Sequence, residues 1–220
     1  VRPYSEMPSP VLTLLLLFGG DDLEQVLATR EILLSAHDPY RDAEIELGGE
    51  RIPLAANYTA GYGLWLARSG FATQSLRTLL GRENGIDRPH VYLMQPYDPQ
   101  RRIIVMLHGL GSSPEAWVNL ANEVLGDEAL RREFQIWQVY YPTNVPMAFN
   151  QAAIRRALSQ TLRHFDAQGD AAASRDIVLI GHSMGGVLSR LLVSSSEDRL
   201  WGWLQEDRQL SPERLARVRE

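Results

Sequence analysis

Hydrophobic and polar positions alternate most regularly between His90 and Val193. Val91-Tyr92-Leu93 is a short apolar stretch that Pro96 and Pro99 bring to an end. Arg102 to Leu107 carries a continuous apolar run through Ile103, Ile104, Val105 and Met106, as expected of a strand covered on both faces. Pro114 to Leu125 has helical spacing, and Phe134 to Tyr140 reads as a further strand stopped by Pro142. Asn150, Ile154, Leu158, Leu162 and Phe165 form one helical stripe, with Ala153, Ala157 and Thr161 beside it. Asp176 to Ile180 predicts another apolar strand and Met184 to Val193 another helix. Strands alternating with helices of this length give βαβ units on a parallel sheet, with right-handed crossovers.

The first 89 residues follow no such rhythm and read as an N-terminal helical and hairpin extension, leaving 90–220 as the main domain. Val11 to Phe18 is near-continuously apolar and predicts a buried strand or helix; at eight residues it is far short of the ~20 needed to span a bilayer. Asp21-Asp22 predicts the cap of a helix carrying Leu23, Val26, Leu27 and Leu33-Leu34, ended by Asp38-Pro39. Ala43 to Leu47, Gly48-Gly49 and Arg51 to Leu54 read as a β-hairpin. Short helices are expected over Ala60–Arg68 and Thr73–Leu80, before Gly81 and the Glu83-Asn84-Gly85 turn. Tyr58, Tyr62 and Trp65 read as core in preference to a substrate surface.

Composition narrows the chemistry. The 220 residues carry a net charge of −5, which argues against a nucleic-acid binder; all 22 basic residues are arginine, which carries no functional reading. Cysteine is absent, which removes disulfides, thiol nucleophiles and thiolate metal sites. No cofactor or metal is implied. No basic segment precedes the apolar stretch at Val11, since Arg2 is the one base before it, and the compartment stays open between cytoplasm and cell envelope.

Gly181-His182-Ser183-Met184-Gly185-Gly186 matches G-x-S-x-G, the nucleophile elbow. The motif puts a serine on a strained strand-to-helix turn, where strand and helix pass too close for side chains two residues to either side. Ile177 to Ile180 supply the strand; Val187, Leu188, Leu191 and Leu192 supply the helix. A phosphate-binding loop is the competing reading, but neither G-x-G-x-x-G spacing nor a lysine is present. His108-Gly109-Leu110-Gly111-Ser112-Ser113-Pro114 likewise follows an apolar strand and precedes a helix. Acyl transfer requires two backbone N–H groups aimed at a developing oxyanion. Met184, after the serine, and Leu110, in the earlier loop, are the candidates. His108, Gly109, Gly181 and Gly185 are read as structural support for this site.

At these two places the sequence resembles the α/β-hydrolase superfamily in its lipase/esterase branch. It looks closest to bacterial hydrolases of the PGAP1-like and DUF676-like type. Tyr92 to Asp98, the His108–Pro114 loop, Phe134 to Trp137 with Tyr140 to Thr143, and the elbow carry that likeness, over about residues 90 to 195. The resemblance implies an α/β fold with a mostly parallel sheet and flanking helices, and a serine hydrolase acting on carboxylic, including lipid, esters. It leaves contact with a membrane surface open, and says nothing of oligomeric state.

One departure stands out. The superfamily's acid and histidine follow the serine in the chain, yet the five histidines here, 37, 90, 108, 164 and 182, all precede it. Of the acids after Ser183, Asp198 and Asp207 read as solvated surface charge. Ser211-Pro212-Glu213 reads as a helix start, and the sequence stops two turns later. The expectation is therefore a C-terminally truncated hydrolase whose catalytic Asp/Glu and His are not in this chain, and which alone is inactive or nearly so. An acyltransferase or thioesterase on the same serine, and a non-catalytic binding module that kept the elbow, are the alternatives.

Overall fold

The computed structural model describes residues 2–71 and 88–195. The segments expected around Thr73–Leu80, at the Glu83-Asn84-Gly85 turn and at Ser211 lie outside the described residues, as do all the acids after Ser183.

Five strands form the central sheet: β1 (Tyr4–Glu6), β6 (His90–Leu93), β8 (Phe134–Tyr140), β7 (Arg102–Leu107) and β9 (Val178–Gly181), in that spatial order. β7 pairs in parallel with both β8 and β9. β6 runs antiparallel to β8, and β1 is parallel to β6. The sheet is thus mostly parallel with a reversed margin, and its helices lie on both faces, as an α/β-hydrolase fold requires.

The two-residue period of a strand decides which side chain enters which layer. Ile103, Val105 and Leu107 of β7 join Trp137, Val139 and Leu188 in one core. Ile154 and Ala157 of α5 (Met147–Phe165) close that layer, and Leu188 belongs to α7 (Met184–Val193). Ile104 and Met106 point to the opposite layer and meet Ile136, Trp117, Ala121, Val124 and Leu125, the last three from α3 (Val118–Gly126). Between α3 and β8 lies the short α4 (Glu128–Glu133), capped by Asp127, whose carboxylate accepts the Leu130 N–H at 2.8 Å. A four-residue helix, α6 (Ala172–Arg175), precedes β9.

Part of the N-terminal region contributes to these same cores. Tyr4 of β1 is buried beside Val91 and Leu93. Tyr62, on α2 (Ala60–Ser69), is buried in the second layer and accepts a 2.9 Å hydrogen bond from Gln138 Nε2. Trp65 packs against Tyr62, Phe71 and Tyr92, so these aromatic rings are core. The hairpin at Gly48-Gly49 forms as expected, from β4 (Glu44–Leu47) and β5 (Glu50–Pro53).

Two local expectations are overturned. Asp22 does cap a helix, accepting the Gln25 N–H at 2.8 Å, but α1 covers Leu23–Ala28 alone. Leu33-Leu34 lie instead on β3 (Ile32–His37), antiparallel to β2 (Thr13–Phe18). β-branched Thr29 and Ile32 and the extended backbone of Thr29 favour the turn into a strand. The apolar stretch is therefore a strand, but not a buried one: Leu14, Leu16 and Phe18 are exposed.

Candidate active site

β9 delivers the chain to the elbow. Its register with β7 ends at Leu107 opposite Gly181, and the pairing runs one residue further, since His182 N–H donates to Leu107 O at 3.1 Å. The next residue turns sharply. Ser183 sits at φ 54°, ψ −120°, the one non-glycine residue with positive φ among the described residues. Such a conformation stores of order 1–3 kcal/mol and persists because its surroundings enforce it.

Those surroundings are glycines. A Cβ on Gly185 would stand 2.1 Å from Leu107 O and 2.5 Å from His108 O. One on Gly181 would stand 2.3 Å from Gly185 O. Only bare backbone lets α7 start so close to β7 and β9. Ser183 O then accepts the Gly186 N–H at 2.9 Å, while the Met184 N–H, in the first turn of α7, has no acceptor within the helix. The serine is solvent-exposed at this positive helix end.

The second loop is held against the first. A Cβ on Gly109 would come within 2.9 Å of His182 Nδ1 and 3.2 Å of Ser183 Cβ. Ser112 N–H closes a turn on Gly109 O at 3.2 Å, leaving the Leu110 N–H outside the turn's own bonding. Gly111, at φ 62°, donates its N–H to Thr143 Oγ1 at 3.2 Å.

His108 is fully buried and both ring nitrogens are engaged. Nδ1 lies 3.0 Å from Gly109 O, and Nε2 accepts the Tyr141 N–H at 3.3 Å. The ring stacks on Tyr141 at 4.3 Å, and the Tyr141 hydroxyl donates to His108 O. An acceptor on one side and a donor on the other fix a neutral tautomer with the proton on Nδ1. Burial agrees, lowering the pKa from the ordinary 6.5 to about 4. His108 thus pins the loop and has no nitrogen free for proton transfer.

The other histidines also have other surroundings. His37 pairs with Ser35 Oγ and Asp42, and His90 bonds Ser5 Oγ, its pKa lowered by burial. His164 packs on Tyr4, and His182 is exposed beside Gly109. Among the described residues no hydrogen bond holds the Ser183 hydroxyl, so the structure sets the Gly109 backbone, one residue before Leu110, against the serine but brings no base to it. Nor does any group of His, Asp or Glu among these residues assemble a metal site.

Tyr141, Thr143 and Asn150 support the site in ways that no sequence motif marks. Asn150, buried at the start of α5, donates to Pro142 O at 2.8 Å and to Val145 O at 3.2 Å, fixing the segment that carries Thr143. The signal was available in a polar residue on an otherwise apolar helical stripe.

The model of the alpha/beta hydrolase family matches residues 104–218, from β7 onward and across both loops. No curated protein and no solved structure matches the chain.

Proposed function

The chain belongs to the alpha/beta hydrolase family, more than half of it matching the family model, and on that premise we propose that it is a serine hydrolase of carboxylic esters. The observation that carries this reading is the strained, exposed Ser183 at the head of α7 with the Gly109-Leu110 backbone against it. In the proposed reaction the Ser183 hydroxyl attacks the ester carbonyl and its proton passes to a general base. The carbonyl oxygen becomes an oxyanion that the Met184 and Leu110 N–H groups receive, aided by the positive end of α7. Collapse expels the alcohol and leaves an acyl group on Ser183 Oγ, which water then removes. The general base is the one part of this scheme that none of the described histidines supplies.

The lipase branch, with a lipid ester as substrate, rests on the Tyr92–Asp98 and Tyr140–Thr143 stretches and on the exposed apolar residues beside the loops, Leu110, Met147 and Phe149. Transfer of the acyl group to an alcohol or thiol in place of water is the second reading of the same site. The test is product analysis with p-nitrophenyl esters of increasing chain length on the full-length gene product, with and without an added alcohol. Free acid as product, lost in Ser183→Ala, supports the hydrolase; acylated alcohol as main product makes it a transferase; turnover unchanged in Ser183→Ala removes Ser183 from the chemistry.

A further inference from the structure

The β2–β3 register places Leu14 opposite Ala36, Leu16 opposite Leu34 and Phe18 opposite Ile32. Paired residues of an antiparallel ladder project to the same face. All six are exposed, the five large ones by 49% to 61%, and no charged or polar side chain interrupts them. Leu23 and Leu27 on α1, which joins the two strands, are 73% and 78% exposed, and Leu12 continues the apolar surface toward the root. The result is an arm of two strands with one continuous bare apolar face; on the other face Leu15 and Leu17 are half-buried and Leu33 alone of the large apolar residues is exposed. A two-stranded sheet is at best marginally stable in water alone, so a lasting arm requires a cover.

We propose that the cover is the same face of a second copy, making the arm the interface of a two-fold symmetric homodimer. The six side chains present on the order of 550 Å², the upper end of the about 300–600 Å² of an ordinary monomer's largest apolar patch, and the exposed Leu12, Leu23 and Leu27 at the two ends of the arm bring its bare apolar surface to roughly 900 Å², close to the about 800 Å² each partner gives a stable interface. The face is flat and uncharged, the form that stacks sheet on sheet. A two-fold axis through the Leu16/Leu34 pair sets the acidic tips of the two arms (Asp21, Asp22, Glu24 and Glu31) at opposite ends, so they do not oppose each other.

A lipid bilayer is the other apolar cover, and two features disfavour it. Those four acids, against Arg30 alone, repel anionic headgroups. The arm is also rooted at the wrong end of the sheet. Three residues past β3, Tyr40 O accepts from the guanidinium of Arg101, which directly precedes β7, whereas Ser183 follows the strand end marked by Leu107 and Gly181. About 20 Å of strand separates the two ends. An arm buried in a membrane would hold the serine away from it. This second point rests on Ser183 being the nucleophile proposed above; the apolar area and the acidic tip do not.

The absence of cysteine allows a direct test on the full-length chain. Leu16→Cys, next to the proposed axis, should yield a disulfide-linked dimer on mild oxidation, while Leu120→Cys on α3 should not. In sedimentation equilibrium the wild type should weigh as a dimer, and Leu16→Arg/Leu34→Arg should weaken association at least 100-fold while circular dichroism still reports a folded chain, with a melting temperature that no longer rises with protein concentration. A wild type that stays monomeric at micromolar concentration overturns the proposal, as does a dimer that survives the double arginine variant or fails to cross-link through Leu16→Cys. A monomer that floats with phosphatidylcholine vesicles, and loses that in Leu16→Arg, overturns it in favour of the membrane.

Discussion

Gly109 lies against Ser183 so closely that a Cβ on the glycine would stand 3.2 Å from the serine Cβ. That single approach joins two loops from different strands into one site, and it explains why a glycine follows His108. Gly109→Ala should push the loop from the serine by a few tenths of an ångström and misplace the Leu110 N–H. Displacements of this kind cost up to about 10²-fold in rate. The expected outcome is a fall in kcat/KM of roughly 10- to 100-fold with the melting temperature nearly unchanged; full activity would show that the two loops do not act together.

The backbone of Ser183 gives a second prediction that needs no substrate. At φ 54° and ψ −120° a side chain is strained and glycine is not. Ser183→Ala keeps the strain and Ser183→Gly releases it, so the glycine variant should be more stable than the alanine variant by about 1 kcal/mol, or roughly 2–4 °C in melting temperature. Both should be inactive. Equal stability would mean that the elbow is unstrained.

His108 makes stability depend on pH. The folded protein holds the ring neutral, with a pKa of about 4 against about 6.5 when unfolded, so between those values the unfolded chain binds more protons. The contribution is fully present above about pH 6.5 and is lost as pH falls toward 4, to the extent of roughly 3 kcal/mol. Denaturant titrations from pH 7 to 4 should show this loss, and His108→Asn, though less stable at pH 7, should show a shallower slope. An identical slope in the variant would place the acid sensitivity elsewhere.

The sequence was most readable where side-chain period and burial agree. Ile103 to Met106 announced a strand covered on both faces, and the bare positions around Ser183 announced the elbow, because close backbone approach permits only glycine at 181 and 185. It was least readable where pairing decides. Tyr4–Glu6 is too short to carry a period, yet its ladder with Val91 to Leu93 brings the N-terminus into the sheet. The reversed direction of β6 leaves no trace in its composition. Leu33-Leu34 satisfied a helical spacing that counted residues across Thr29, where the helix had already ended. The roles of Tyr141 and Thr143 emerged only from the geometry, since a tyrosine and a threonine after a strand are ordinary until their partners are known.

The central claim is that Ser183 is the nucleophile, and a fluorophosphonate probe on the full-length gene product tests it most directly. The probe's phosphorus is attacked by an activated serine hydroxyl and fluoride leaves, so peptide mass mapping identifies the residue. One stoichiometric adduct is expected on the peptide holding Gly181 to Gly186, absent in Ser183→Ala. An esterase-active protein that carries its adduct on another residue, or that labels undiminished as Ser183→Ala, would contradict the claim.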